Sequence, residues 1–173
     1  MNRVFGYLRY DWPIFFLLWL TNGLPDNIAF LRFRGWLVTP FFGSCRGKLK
    51  VARNVVIQNP SKVLLGRDVY LGHGTCLLAN DEIEIGDSVL IAPYCVLVSS
   101  DHVRNDGSYL NEKLIAKKIT IQENCWLGAH VTVTAGSLLP AGTCVGAGAV
   151  VHGVFEKSAL IGGVPAKIIK EFK

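Results

Sequence analysis

The chain has 173 residues, half of them apolar, and a formal net charge of +5. That is one domain's worth of chain, large enough for its own core. The positive balance suits a phosphorylated ligand or an anionic membrane surface; nucleic acid is set aside, because the basic residues form no block and no recognised binding motif occurs.

Residues 1–44 read as a helical, apolar extension. Residues 12–20 form the run WPIFFLLWL, with Asp11 as N-cap and Pro13 in the first turn, and Asn22-Gly23 ends it. A second helix over residues 26–38 carries Phe30, Phe33 and Trp36 together with Arg32 and Arg34. Nine apolar residues in a helix rise only about 14 Å, against a hydrocarbon core of about 30 Å, so the run is not a membrane span. Nor does it read as a signal peptide, because Asp11 and Pro13 interrupt its front and no clean cleavage site follows. Two compatible roles remain: packing over the end of the next domain and between subunits, or laying Trp, Phe and Arg side chains on a membrane surface.

From Val51 the chain keeps a period of six. Val51 and Ile57 open it; Leu65, Leu71 and Leu77 continue it; then Ile85, Ile91 and Leu97; then Ile121, Leu127, Val133, Leu139, Val145 and Val151. Gly often follows (Gly66, Gly72, Gly86, Gly128, Gly146), and the fifth residue is mostly small (Ser61, Thr75, Cys95, Cys125, Ser137, Thr143, Ala149). Such a repeat marks a parallel β-helix over residues 45–156. Each hexad is a short strand and a corner, with the aliphatic residue inside, Gly at the bend and the small residue making room. Three hexads make a coil, which predicts about five coils sharing one apolar column. The five cysteines (Cys45, Cys76, Cys95, Cys125, Cys144) are odd in number, lack CxxC spacing, and read as reduced packing residues of a cytoplasmic protein.

Every break in the period falls after the third hexad of a coil, so all lie along one edge. The longest is a protruding loop over residues 102–118, which begins in Ser99-Ser-Asp-His. Insertions in repeat proteins collect on the binding face. Residues 157–173 form a tail, Leu160-Ile-Gly-Gly-Val-Pro-Ala-Lys, in which Pro165 is expected to open a short C-terminal helix with Lys167 and Lys170 on one side.

The repeat, the loop at His102, Asn124-Cys-Trp-Leu-Gly-Ala-His-Val and the terminal Gly-Val-Pro-Ala-Lys together resemble the hexapeptide-repeat acyltransferases, nearest the maltose and galactoside O-acetyltransferases. Leu24-Pro-Asp-Asn followed by Arg34-Gly resembles the branch that acetylates surface polysaccharides such as colanic acid and O-antigen. The resemblance implies an all-β, left-handed β-helix, against the usual crossover hand. It also implies a homotrimer with sites between subunits, acetyl-CoA as donor and a sugar hydroxyl as acceptor, free, nucleotide-linked or lipid-linked. The protein would then be cytoplasmic or peripheral at the inner face of the cytoplasmic membrane.

Acyl transfer from a thioester needs a base for the hydroxyl proton, donors for the oxyanion and a site that aligns both reactants; a metal is not required. His102 is the candidate base, since imidazole accepts a proton near neutrality and His102 matches the family histidine before the loop. Asp101 and Glu112 are candidates to orient it. By the same resemblance, the Ala129 N–H faces the thioester oxygen, Trp126 and Gly128 line the pantetheine arm, Gly146 and Ala147 let it pass close to backbone, and Lys167 and Lys170 meet coenzyme A phosphates. The maltose and galactoside enzymes hold the acceptor with an Asn where this chain has Leu71-Gly-His-Gly-Thr, so acceptor recognition differs; His73 and Asn80 are candidates.

Three rivals are an N-acetyltransferase for an amino sugar, a silent scaffold, and a zinc protein resembling the γ-class carbonic anhydrases. The last would draw on His73, His102, His130 and His152, but its HxxxxH spacing is missing.

Overall fold

The computed structural model describes residues 3–110 and 113–172. Three parallel sheets form the sides of a prism. Face I stacks Ser44–Cys45, Val63–Leu65, Ile83–Ile85, Ile119–Ile121 and Leu138–Leu139; face III stacks Val56–Gln58, Cys76–Leu78, Val96–Val98, Thr132–Val133 and Val150–Val151. Face II has six parallel rungs, from Lys50–Val51 through Tyr70–Leu71, Leu90–Ile91, Trp126–Leu127 and Cys144–Val145 to Ala159–Gly162. The last is one more than the five coils expected, because its spacing no longer follows the hexad.

Register turns the period into columns. Val51, Leu71, Ile91, Leu127, Val145 and Ile161 are cross-strand neighbours on face II. All fourteen aliphatic positions of the repeat are buried. Of the seven small positions, only Ser61 stands outside the column, in a 3-10 turn, Pro60–Lys62. Their neighbours Gly72 and Gly128 do not sit at left-handed corners. A Cβ on Gly72 would stand 2.6 Å from Ile91 O, and one on Gly128 2.7 Å from Ala147 N, so the next coil's backbone excludes a side chain. The left-handed corners fall two residues later, at Gly74, Tyr94, His130 and Gly148.

The extension begins with α1 (Arg3–Gly6), a π-helical stretch (Tyr7–Asp11) and α2 (Trp12–Thr21), followed by α3 (Ile28–Val38). Asp11 is not a cap, because helix precedes it; its Oδ1 instead accepts from the Asn59 N–H at 2.9 Å. Asn27 caps α3 by accepting from the Phe30 N–H at 3.1 Å. Ile14, Leu18, Val38 and Phe42 join the buried column, and α3 packs across the edge strand Lys50–Val51. Gly35 permits this, because a Cβ there would overlap the Leu49 carbonyl.

Arg34 is fully buried, so of the two arginines on α3 only Arg32 is open to a surface role. The Arg34 Nη1 donates to Asp26 Oδ1 at 2.9 Å and to Val51 O at 3.2 Å, its Nε to Thr21 O at 3.3 Å and its Nη2 to Leu24 O. At the other end, the expected C-terminal helix is a strand. Lys167–Glu171 pairs antiparallel with Ala159–Gly162, and Pro165 lies in the turn between them. The open edge of Ala159–Gly162 offers a ladder to a β-branched segment, and that outweighs the helix-start signal of a proline. No described helix is long and apolar enough to cross a membrane.

Candidate functional site

The longest break leaves the end of face III as a β-hairpin. Ser100–His102 pairs antiparallel with Leu114–Ala116, with His102 opposite Leu114 and Asp101 opposite Ile115. The root of the hairpin is held by side chains. Ser99 is buried, accepts from the Asp81 N–H at 2.8 Å and donates to Asp81 O at 2.9 Å. Asn80 donates from Nδ2 to Ser100 Oγ at 2.8 Å, two residues from His102. His102 itself is exposed. Asp101 precedes it in the strand, so the two side chains point to opposite faces, and no hydrogen bond joins them. Glu112 lies outside the described residues.

The outer side of face II carries a different group. Trp126, Cys144 and Leu160 are cross-strand neighbours pointing outward, and Lys170 is opposite Leu160. Lys167 is opposite Gly162. A register shift in the hairpin sets these lysines, three residues apart, against partners two residues apart, so both share the outer face with Trp126. The expected helix is absent, yet its consequence for the lysines holds. Three strand spacings put Trp126 about 14 Å from Lys170.

Ala129 opens the corner after Trp126–Leu127. Its carbonyl accepts from the Gly148 N–H at 2.9 Å, whereas its own N–H donates to no described residue. The equivalent residue one coil earlier is Pro93, which has no N–H. Gly128 and Ala147 are in backbone contact, and Gly146 N–H donates to Ile161 O at 2.8 Å. His102 lies in the hairpin that leaves the end of face III, and Trp126 lies on face II, so different sides of the prism carry them.

His73 is committed elsewhere. Its Nδ1 lies 3.4 Å from Asp26 Oδ2 and its Nε2 3.3 Å from Asn54 Nδ2, and its ring meets Tyr94 edge-on. A tautomer protonated at Nδ1 serves both bonds, donating to Asp26 and accepting from Asn54. Asp26 also accepts from the Arg53 backbone at 3.0 Å and the Arg53 Nε at 3.3 Å. Burial alone would raise its carboxyl, but the Arg53 and His73 hydrogen bonds and the Arg34 charge outweigh it and hold the pKa below the usual carboxylate value. Sequence reading missed this clamp; its only trace was Asp26 and Arg34 in one motif, eight residues apart. Tyr94, stacked on His130 with centroids 5.1 Å apart, was also missed. His152 Nδ1 lies 2.9 Å from Thr134 Oγ1, and among the described residues no group of three His, Cys, Asp or Glu could hold a metal ion. All five cysteines are free; burial pushes the Cys125 thiol up to about 11.

A Dictyostelium discoideum protein that carries an acetyltransferase name is 31% identical over 130 residues, 75% of this chain and 68% of the relative. The chain belongs to the hexapeptide-repeat acyltransferase family. An Escherichia coli protein named for O-acetyl transfer in lipopolysaccharide biosynthesis is 33% identical over 105 residues, 53% of this acyltransferase-family chain and 52% of the relative. The structure of a galactoside acetyltransferase in complex with coenzyme A matches with a TM-score of 0.81 at 25% identity, covering 92% of this chain and 79% of that one. The hand of the β-helix is the left hand of these acyltransferases. No family model matches the chain. The first curated relatives are longer, and the chain spans 40 to 66% of their length.

Proposed function

We propose that this protein transfers an acetyl group from acetyl-CoA to a sugar hydroxyl, in the assembly of a surface polysaccharide. The observation that carries the reading is the outer side of face II, where Trp126, Lys167 and Lys170 share one surface beside the unspent N–H of Ala129. An aromatic ring suits the pantetheine arm, and lysines suit the phosphates at its far end. The coenzyme A complex of the related galactoside acetyltransferase and the name of the lipopolysaccharide relative support donor and pathway.

His102 takes the proton of the acceptor hydroxyl as its oxygen bonds to the thioester carbonyl carbon. The Ala129 N–H meets the oxygen as it becomes negative. The C–S bond then breaks, and the departing thiolate recovers the proton from the imidazolium. Because His102 and Trp126 occupy different sides of one chain, a complete site takes His102 from one subunit and face II from the next.

A cyclic trimer supplies that arrangement. In a closed ring, each prism offers two different sides to its neighbours and keeps the third for solvent. Face II points Tyr70, Leu90 and Trp126 outward, and face III points Val56, Cys76 and Val96 outward. Face I instead carries Glu84, ion-paired to Lys118 at 2.8 Å.

The test is release of coenzyme A thiol from acetyl-CoA across free sugars, nucleotide sugars and lipid-linked glycans, with His102→Ala beside the wild type. Stimulation by one acceptor class, lowered about 10²–10⁴-fold in the variant, is expected. Stimulation that the variant leaves unchanged removes His102 from the role; acceptor-independent hydrolysis alone removes the transferase reading.

A further inference from the structure

The extension carries a surface that acyl transfer does not use. Along residues 3–21, Ile14, Leu18 and Thr21 turn inward onto the β-helix. On the other side Phe5, Leu8, Trp12, Phe15 and Trp19 follow each other at alternating steps of three and four, which aligns them in one stripe along a helix. Each of the five is more than half exposed, and Trp19 reaches 66%. The second helix adds Trp36, 71% exposed and stacked on Phe33.

The charge lies at the same end. The first fifty residues hold seven Lys or Arg against two Asp or Glu, and the remaining 123 hold eleven of each. The whole net charge of +5 therefore belongs to the extension and the first turns of the β-helix. Both acids there are occupied: Asp11 accepts from the Asn59 N–H, and Asp26 from Arg34 and Arg53. Arg9 and Arg32 are exposed on the helices themselves.

These features select among partners. Crossing a bilayer is excluded for the described helices by length and polarity. Charge separates the two remaining partners: a second copy would bring the same positive end against its own, whereas an anionic lipid surface offers the opposite charge to a face rich in Trp and Phe, the rings that gather at a lipid–water boundary. We propose that the helical end docks in the plane of an anionic lipid surface. Phe5, Leu8, Trp12, Phe15 and Trp19 enter the headgroup–acyl boundary, and Arg9 and Arg32 meet the phosphates. This inference does not depend on the acyl-transfer reading.

The experiment is sedimentation of the full chain with vesicles of phosphatidylglycerol and phosphatidylethanolamine, and separately of phosphatidylcholine alone, with molecular mass measured in parallel. Binding to the anionic vesicles is expected, weaker on the neutral ones and weakened by salt. Trp12→Ser with Trp19→Ser lowers the partition about tenfold or more, because two large apolar contacts are lost. Arg9→Glu with Arg32→Glu, which leaves the apolar stripe intact, lowers it about fivefold or more per cation. Both variants keep the wild-type circular dichroism spectrum, since all four side chains are exposed. The proposal is overturned by wild type that stays in solution with anionic vesicles, by binding that neither variant changes, or by a wild-type mass that drops in the Trp variant without any vesicle binding, which would assign the stripe to a second copy.

Discussion

Arg34 contributes its guanidinium to five oxygens, four of them backbone carbonyls, and the fifth, on Asp26, brings the opposite charge. It ties the turn before α3 to the first rung of face II. Arg34→Ala takes the side-chain donor away from Val51 O and Leu24 O, while Thr21 O keeps the Leu24 N–H and Asp26 keeps Arg53 and His73. We expect a loss of about 1–3 kcal/mol, the cost of leaving a buried carbonyl without its donor, read as a lower thermal midpoint. Asp26 adds a pH dependence. Its carboxyl is held below its ordinary value in the folded chain, so its contribution is complete above the unfolded value near ~3.9 and is lost as pH falls through the folded one. Wild-type stability should therefore fall more steeply below about pH 4 than that of Asp26→Asn; parallel slopes would show that the clamp does not titrate as described. Little of this was legible in the sequence. Arg34 and Arg32 are alike on paper, but Arg34 shares the buried face of α3 with Leu31, Gly35 and Val38, where it meets partners far away in the chain, and Arg32 does not. Asp11 looked like a cap because a cap is a local signal, whereas its partner Asn59 is 48 residues away.

The columns were the most legible element, because one physical requirement is imposed at every sixth residue and a repeated signal survives local noise. Leu97 lies in the face III column between Leu77 and Val133 and is fully buried. Leu97→Ala opens a cavity with coils packed on both sides and little freedom to collapse; a loss of about 2–5 kcal/mol in a denaturation experiment is expected. The same change at Leu110, 97% exposed, should be close to neutral. The site was legible in its parts and not in its assembly: His102 could be placed at the loop, but the sides of the prism that carry it and Trp126 depend on the order of the sheets. The C-terminal element was misread because a strand that pairs only with its immediate predecessor carries no period of its own.

At the scale of the molecule, the three sides of the prism differ in what they offer a neighbour. Val96 points outward from the middle of face III. If copies pack through that side, Val96→Glu places an unpaired charge in the contact and should convert trimer to monomer in sedimentation equilibrium, with the thermal midpoint of the isolated chain little changed. A trimer that persists would remove face III from the contact. The ends of the prism have a separate consequence. Stacked rungs have no natural stopping point, and a second molecule set end-on could continue them into a filament. The helix α3 lies over the first rung of face II, while Phe155, Gly163 and Ala166 hydrogen-bond to the last strands of faces I and III, and Lys167–Glu171 covers the last rung of face II. Both growth points are thereby occupied by the chain itself. Association is left to the flanks, where it can close on a fixed number of copies instead of running on without limit.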